Sequence, residues 1–221
     1  MRKTFYYIGI NVTIIGSSNA KGIKLTNSTT WRIHNKSKGG ATMKSIVQQY
    51  KPPNRNEERS SKSSTNKDCT IIVIFQGPNG HPNDDWNKLR QEFNESMRSM
   101  IQKGLQPRNT IVLGPLPRGP NTSVWETQME TSAKILTDMH KLGLQTINIY
   151  NHIPHSMRTP DKIFGKKDLR LNHYVHYGDK VLQIINSMTE KKIFEIVTAQ
   201  GKGNDNTTNV DKPKPTYKKH K

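Results

Sequence analysis

Four short stretches of this sequence carry residue types suited to nucleophilic acyl chemistry. The serine pair Ser17-Ser18 follows residues 11–16 (NVTIIG), a β-branched run that ends in glycine. A serine on a tight turn after a strand sits where a following helix N-terminus favours developing negative charge. The plainer reading of Ser17 or Ser18 is a cap for that helix. Further on, Lys38-Gly39-Gly40-Ala41-Thr42 offers glycines whose backbone N–H groups could approach a ligand oxygen, or simply a turn. In Gly77-Pro78-Asn79-Gly80 the side-chain amide of Asn79 could donate to an oxyanion, though Asn beside Gly is also ordinary turn chemistry. His176, in NHYVHYG before the last helical stretch, is a candidate general base, because an unperturbed imidazole titrates near neutrality.

These residues need a frame, and the apolar pattern supplies one. Residues 70–76 (TIIVIFQ) are apolar on both faces, as in a central parallel strand. Shorter strands are expected at 11–16, 29–35, 110–113 and 145–150. Helical spacing is expected over 41–50, 84–103, 126–142 and 178–194, the second marked by Trp86, Leu89, Phe93, Met97 and Ile101. Five strands alternating with helices predict a doubly wound, mostly parallel α/β sheet. Sites in such sheets lie at the C-terminal strand edge, where all four stretches would fall.

Composition bounds the rest. The chain has 221 residues and a formal net charge of +18, with only 31% hydrophobic residues. The length suits one domain spanning 1–195, interrupted by a flexible loop or insertion at 51–69, with a basic disordered tail over 196–221. No run of about 20 apolar residues is present, which excludes a membrane-spanning helix in the sequence. A single cysteine, Cys69, excludes an intramolecular disulfide and reads as an inert buried thiol. Eight basic residues and no acid lie within the first fifty positions, and the tail from 201 holds six lysines and two aspartates. Nucleic acid is therefore one candidate partner, through the basic N-terminal third and tail. Residues 1–20 resemble a signal peptide in outline, but Asn11 and Thr13 interrupt the apolar run. A first strand is the favoured reading, and with it an intracellular location.

Two pairs, His152-x-x-His155 and His173-x-x-His176, have a spacing that would suit zinc, but a histidine-rich chain makes such pairs common by chance. Trp31, Trp86 and Trp125 read as core residues rather than as a stacking platform for bases.

Taken in order, these stretches resemble the blocks of the SGNH (GDSL-type) hydrolases. VTIIGSSNAKG is similar to the first block, KGGAT to the second, IVIFQGPNG to the third and HYVHYGDKVL to the fifth. The resemblance spans about residues 11–188 and is similar to divergent members in eukaryotic open reading frames, including esterase domains of LINE-type retrotransposons. It implies a three-layer α/β/α, flavodoxin-like sandwich and hydrolysis of a small-molecule or acylated ester. Ser18 would be the nucleophile and His176 the base. The Ser18 N–H, the Gly40 N–H (or that of Gly39) and the Asn79 amide would form the oxyanion hole, with no cofactor or metal. The sequence departs from the pattern at three places. Ser17 stands where the family has Asp, Gly80 replaces the third-block Asp, and His173 occupies the place of the triad acid. Asp168, or a backbone carbonyl, would then have to orient His176; otherwise a Ser–His dyad remains. The alternative reading is a catalytically decayed SGNH-like module kept for binding, with nucleic acid as its candidate ligand.

Overall fold

A computed structural model describes residues 9–26, 31–52, 69–77, 85–119, 122–165 and 176–203. Five strands, β1 (Ile10–Gly16), β2 (Trp31–Asn35), β3 (Cys69–Phe75), β4 (Thr110–Leu113) and β5 (Gln145–Ile147), form one sheet in the order β2-β1-β3-β4-β5, with every pairing parallel. This is the flavodoxin-type order, and its topological switch point lies between β1 and β3. The helices are α1 (Met43–Gln49), α2 (Trp86–Gln102), α3 (Trp125–Lys141), the single turns α4 (Ile149–His152) and α5 (Pro160–Ile163), and α6 (Asp179–Gly203).

Strand alternation divides the core into two halves. On one face Val12, Ile14, Ile71, Val73, Phe75, Ile111 and Leu113 pack against α6 and the segment after β1. On the other, Ile15, Ile74 and Val112 meet α1, α2 and α3. The three tryptophans are buried among these residues, Trp31 and Trp125 in the first half and Trp86 in the second. The α/β/α sandwich with a five-stranded parallel sheet is thus present as the sequence predicts.

Three boundaries differ. The apolar stretch at 145–150 is split, with β5 stopping at Ile147 and α4 taking Ile149–His152. The last helix runs beyond both Phe194 and the expected domain limit at residue 195, to Gly203. Ile196 is buried in the first core half, and Gln200 donates to Asn109 Oδ1 and accepts from Cys69 Sγ. The 3.6-residue apolar spacing therefore continues into what composition marks as tail. At the other end, Ile10–Gly16 is a strand between β2 and β3, and Ala20 is fully buried, so a cut after Ala20 would delete β1 from the middle of the sheet. No helix among the described residues is long and apolar enough to cross a membrane. The expected loop at 51–69 lies outside the described residues for all but its ends, as does the tail beyond Gly203.

Candidate active site

β1 ends at Gly16 because only glycine fits there. A Cβ on Gly16 would lie 2.0 Å from the Phe75 carbonyl oxygen of β3. The chain passes through Ser17, whose N–H donates to Phe75 O at 3.3 Å, and enters a 3-10 turn over Ser18–Gly22. Ser18, the expected nucleophile, is half-buried at the first position of this turn. The capping expectation for Ser17 fails. Its side chain makes no cap hydrogen bond, is 0% exposed, and its Oγ has no partner among the described residues.

Two contacts hold the turn. The Asn35 side-chain amide, at the end of β2, donates to Ala20 O at 3.0 Å. Gly22 lies against α6, since a Cβ there would approach Leu182 Cδ2 to 2.8 Å. The turn that carries Ser18 is thus fixed against the helix that follows His176.

The glycine loop reaches the same place by a continuation of the sheet. Beyond Asn35 the ladder goes on, with Lys36 N–H donating to Ile14 O at 2.8 Å and Lys38 N–H to Gly16 O at 3.0 Å. A turn closed by Ala41 N–H to Lys38 O follows, with Gly40 at φ +68°, the position where a type II turn requires glycine. Thr42 and Ser45 then cap α1 reciprocally. The third loop leaves β3 through Gln76, which is 1% exposed. Its Nε2 donates to Ala41 O at 2.6 Å and to Gly77 O at 3.0 Å, tying the third loop to the second. Both partners are carbonyls, so the orientation of this amide is unambiguous. Asn79 lies outside the described residues.

His176 is exposed and directly precedes the anchor of its segment. Its carbonyl accepts from Gly165 N–H at 2.8 Å, and Gly178 N–H donates to Ile163 O at 2.9 Å. Tyr177, between them, stacks on Phe75 at 5.8 Å and on Phe164 at 5.7 Å. Burial pushes the Tyr177 phenol well above its ordinary range, so it is a neutral anchor hydrogen-bonded to the Leu116 backbone. Phe164 in turn meets Trp125 edge-on. Beyond Trp125 lies a shallow groove of about 560 Å³, lined by Glu126, Glu130, Asn148, Tyr150 and Arg158 among others. The Arg158 guanidinium sits 4.5 Å over the Tyr150 ring.

The fold thus gathers Ser18, Gly40 and His176 at the C-terminal strand edge. No hydrogen bond joins Ser18 to His176 among the described residues. His173 and Asp168, the expected substitutes for the acid, lie outside the described residues. For zinc, His152 and His155 are exposed, and among the described residues no group of three or more His, Cys, Asp or Glu could hold a metal. Sequence reasoning missed Asn35, Gln76, Gly22 and Tyr177 as parts of the site's frame. Only Gly22 and the amide residues at strand ends carried any signal for this.

No family profile matches the sequence, and no curated protein does. Solved structures do match in fold. A lipolytic protein of the G-D-S-L family from Veillonella parvula has 12% identity and a TM-score of 0.54, over 86% of this chain and 98% of that one. The chain has the SGNH hydrolase fold. A lipase/acylhydrolase from Enterococcus faecalis is likewise similar (13% identity, TM-score 0.55, 88% of this chain and 96% of that one). So is an acetylxylan esterase from Geobacillus stearothermophilus (12% identity, TM-score 0.53, 85% and 96%). Within the SGNH fold, the Ser18 turn, the Gly40 loop and the loop after Gln76 follow β1, β2 and β3, and His176 precedes the final helix.

Proposed function

We infer that this protein hydrolyses carboxylic esters by a serine mechanism. The observation that carries the reading is the convergence of the Ser18 turn, the Gly40 loop and the His176 segment on one edge of an SGNH-type sheet. Ser18 Oγ attacks the ester carbonyl carbon while the His176 ring takes its proton. The oxyanion formed accepts hydrogen bonds from the Ser18 and Gly40 N–H groups and the Asn79 side-chain amide. Collapse breaks the bond to the alkoxy oxygen, which leaves as an alcohol with the proton from His176. Water, deprotonated by His176, then attacks the acyl-serine, and the acid departs as Ser18 regains its proton.

No carboxylate stands three residues before His176, the place a triad gives its acid. Loss of that acid costs about 10⁴ in rate in serine proteases, which sets the expectation of a slow enzyme. Asp168 or a backbone carbonyl orients the imidazole, or the pair works as a dyad. The groove beyond Trp125 opens among residues that follow β4 and β5, on the same edge of the sheet.

The test is hydrolysis of short p-nitrophenyl esters by the parent and by Ser18→Ala and His176→Ala, with Ser18 labelling by a fluorophosphonate probe as a second readout. Ser18→Ala is expected to lose both hydrolysis and labelling while melting like the parent. Undiminished hydrolysis in Ser18→Ala overturns the serine mechanism. If the parent neither hydrolyses nor labels, the decayed binding module becomes the better reading, as the missing acid would suggest.

A further inference from the structure

The edge strand β2 carries a row of basic residues that the ester chemistry does not use. Trp31 is buried and Ile33 packs against the first core half, so strand alternation turns Arg32 and His34 to the opposite face, where both are exposed. The ladder with β1 continues through Lys36 and Lys38, so the same alternation holds for them, and both are exposed. Arg32, His34, Lys36 and Lys38 therefore recur at every second residue, about 6.6 Å apart along the strand. The row ends at the Gly39-Gly40 turn beside the candidate site. Lys21, from the Ser18 turn, reaches the same point, its Nζ 3.8 Å from where a Cβ on Gly39 would lie. α1 covers this face farther in and adds exposed Lys44, and Lys51 follows the helix.

Among the described residues no carboxylate pairs with the row, and the first acidic residue of the sequence is Glu57. A charged edge also protects a sheet from strand addition, but a single inserted lysine is enough for that. Four basic positions in register, with three lysines beside them, exceed that need.

We propose that the β2 edge binds a single-stranded nucleic acid, laid along Arg32, His34, Lys36 and Lys38 with its backbone phosphates on the row. The spacing suits one phosphate per alternate residue of an extended strand. Arg32 offers a planar fork for a phosphate, and the lysines offer point charges. The described part of the row has no exposed aromatic residue, so the contact is with the backbone and is insensitive to base sequence. The inference is independent of the ester reading, because it concerns a surface outside the reacting residues.

Fluorescence anisotropy with a labelled 20-nucleotide oligouridylate, read across a salt series, tests it on the full chain. The variant Arg32→Gln/Lys36→Gln/Lys38→Gln removes three phosphate contacts. Its slope of log Kobs against log salt should be shallower by about 2, at about 0.7 per contact for a single strand, and its affinity at low salt at least tenfold weaker. A control, Lys88→Gln/Lys103→Gln/Lys134→Gln, removes the same charge from exposed positions on and after α2 and on α3 and should bind as the parent does. Equal losses in both variants would mean diffuse attraction to a basic protein and overturn the proposal, as would a parent that leaves the oligonucleotide free at low salt. If the row variant loses heparin but keeps oligouridylate, the surface reads a sulfated glycan and the assignment to nucleic acid falls. Matching thermal melts of the three proteins establish that exposed side chains, and not folding, are being compared.

Discussion

Replacing Gln76 by methionine removes one side-chain amide and nothing of its length. In the parent that amide donates to Ala41 O and Gly77 O from a position that is 1% exposed. Each of the two carbonyls left without its donor costs about 1–3 kcal/mol when buried, giving a gross loss of about 2–6 kcal/mol. Gln76 Oε1 is itself buried without a partner, so its removal returns about 1 kcal/mol. A net destabilisation of about 1–5 kcal/mol follows, a large share of the roughly 5–15 kcal/mol that holds a typical domain together. Urea denaturation should show it as a lower midpoint with an unchanged slope. The same change frees the loop containing Gly40, so kcat on a p-nitrophenyl ester should fall more than KM rises. Gln76→Glu adds a sign test. A carboxylate facing two carbonyls is disfavoured, so the folded-state pKa of this Glu lies above its unfolded value of about 4.3. The variant is then least impaired below that value and loses ground to the parent as pH rises through the folded pKa. Its activity, taken as a ratio to the parent's at each pH, should rise as pH falls. A Gln76→Met protein with the parent's urea midpoint and kcat would refute the reasoning.

Other substitutions probe the frame at separate points. Gly16→Ala places a methyl group 2.0 Å from the Phe75 carbonyl and should cost about 3 kcal/mol or more, measurable as lost soluble yield or a collapsed melt. Tyr177→Phe keeps both ring stacks but loses the bond to the Leu116 backbone, and a urea midpoint should register about 1 kcal/mol. Asp138 accepts from Arg90 at 2.7 Å and from Asn94 at 3.1 Å, which holds its carboxyl below the usual range. Its folded pKa is depressed, so its contribution is present above the unfolded value of about 3.9 and disappears as pH falls through the folded one. Asp138→Asn should therefore melt below the parent at neutral pH, and the difference should shrink as pH falls below the usual carboxylate range.

The sheet was legible because its strands announce themselves by composition. Residues 70–76 are apolar on both faces, and only a strand covered on both sides needs that. The places of Ser18, Gly40 and His176 follow once strand order puts the loops after β1 and β2 and the start of α6 at one edge. What stayed hidden is long-range and polar. A glutamine closing a strand does not reveal that its amide will reach a carbonyl 35 residues away. Nor does an asparagine at 35 announce a bond to residue 20. The end of α6 was misjudged because lysine and polar residues dominate the window from 196. The deciding contacts there, Ile196 in the core and Gln200 on Asn109, depend on where the sheet's opposite edge happens to be. Ser17 was misjudged for a similar reason, since a buried hydroxyl that caps nothing has no local signature.

The bond from Cys69 to Gln200 gives the protein a built-in clock. The sole thiol sits at the start of β3, far from the strand ends that carry Ser18, and burial raises it above the ordinary thiol range. The Gln200 bond partly shields the half-buried thiol, so reaction with a disulfide reagent should quicken when the end of α6 peels from the sheet. A change in the rate of thiol capture under native conditions therefore reports that peeling. It does so with a single-site reporter that leaves every reacting residue untouched.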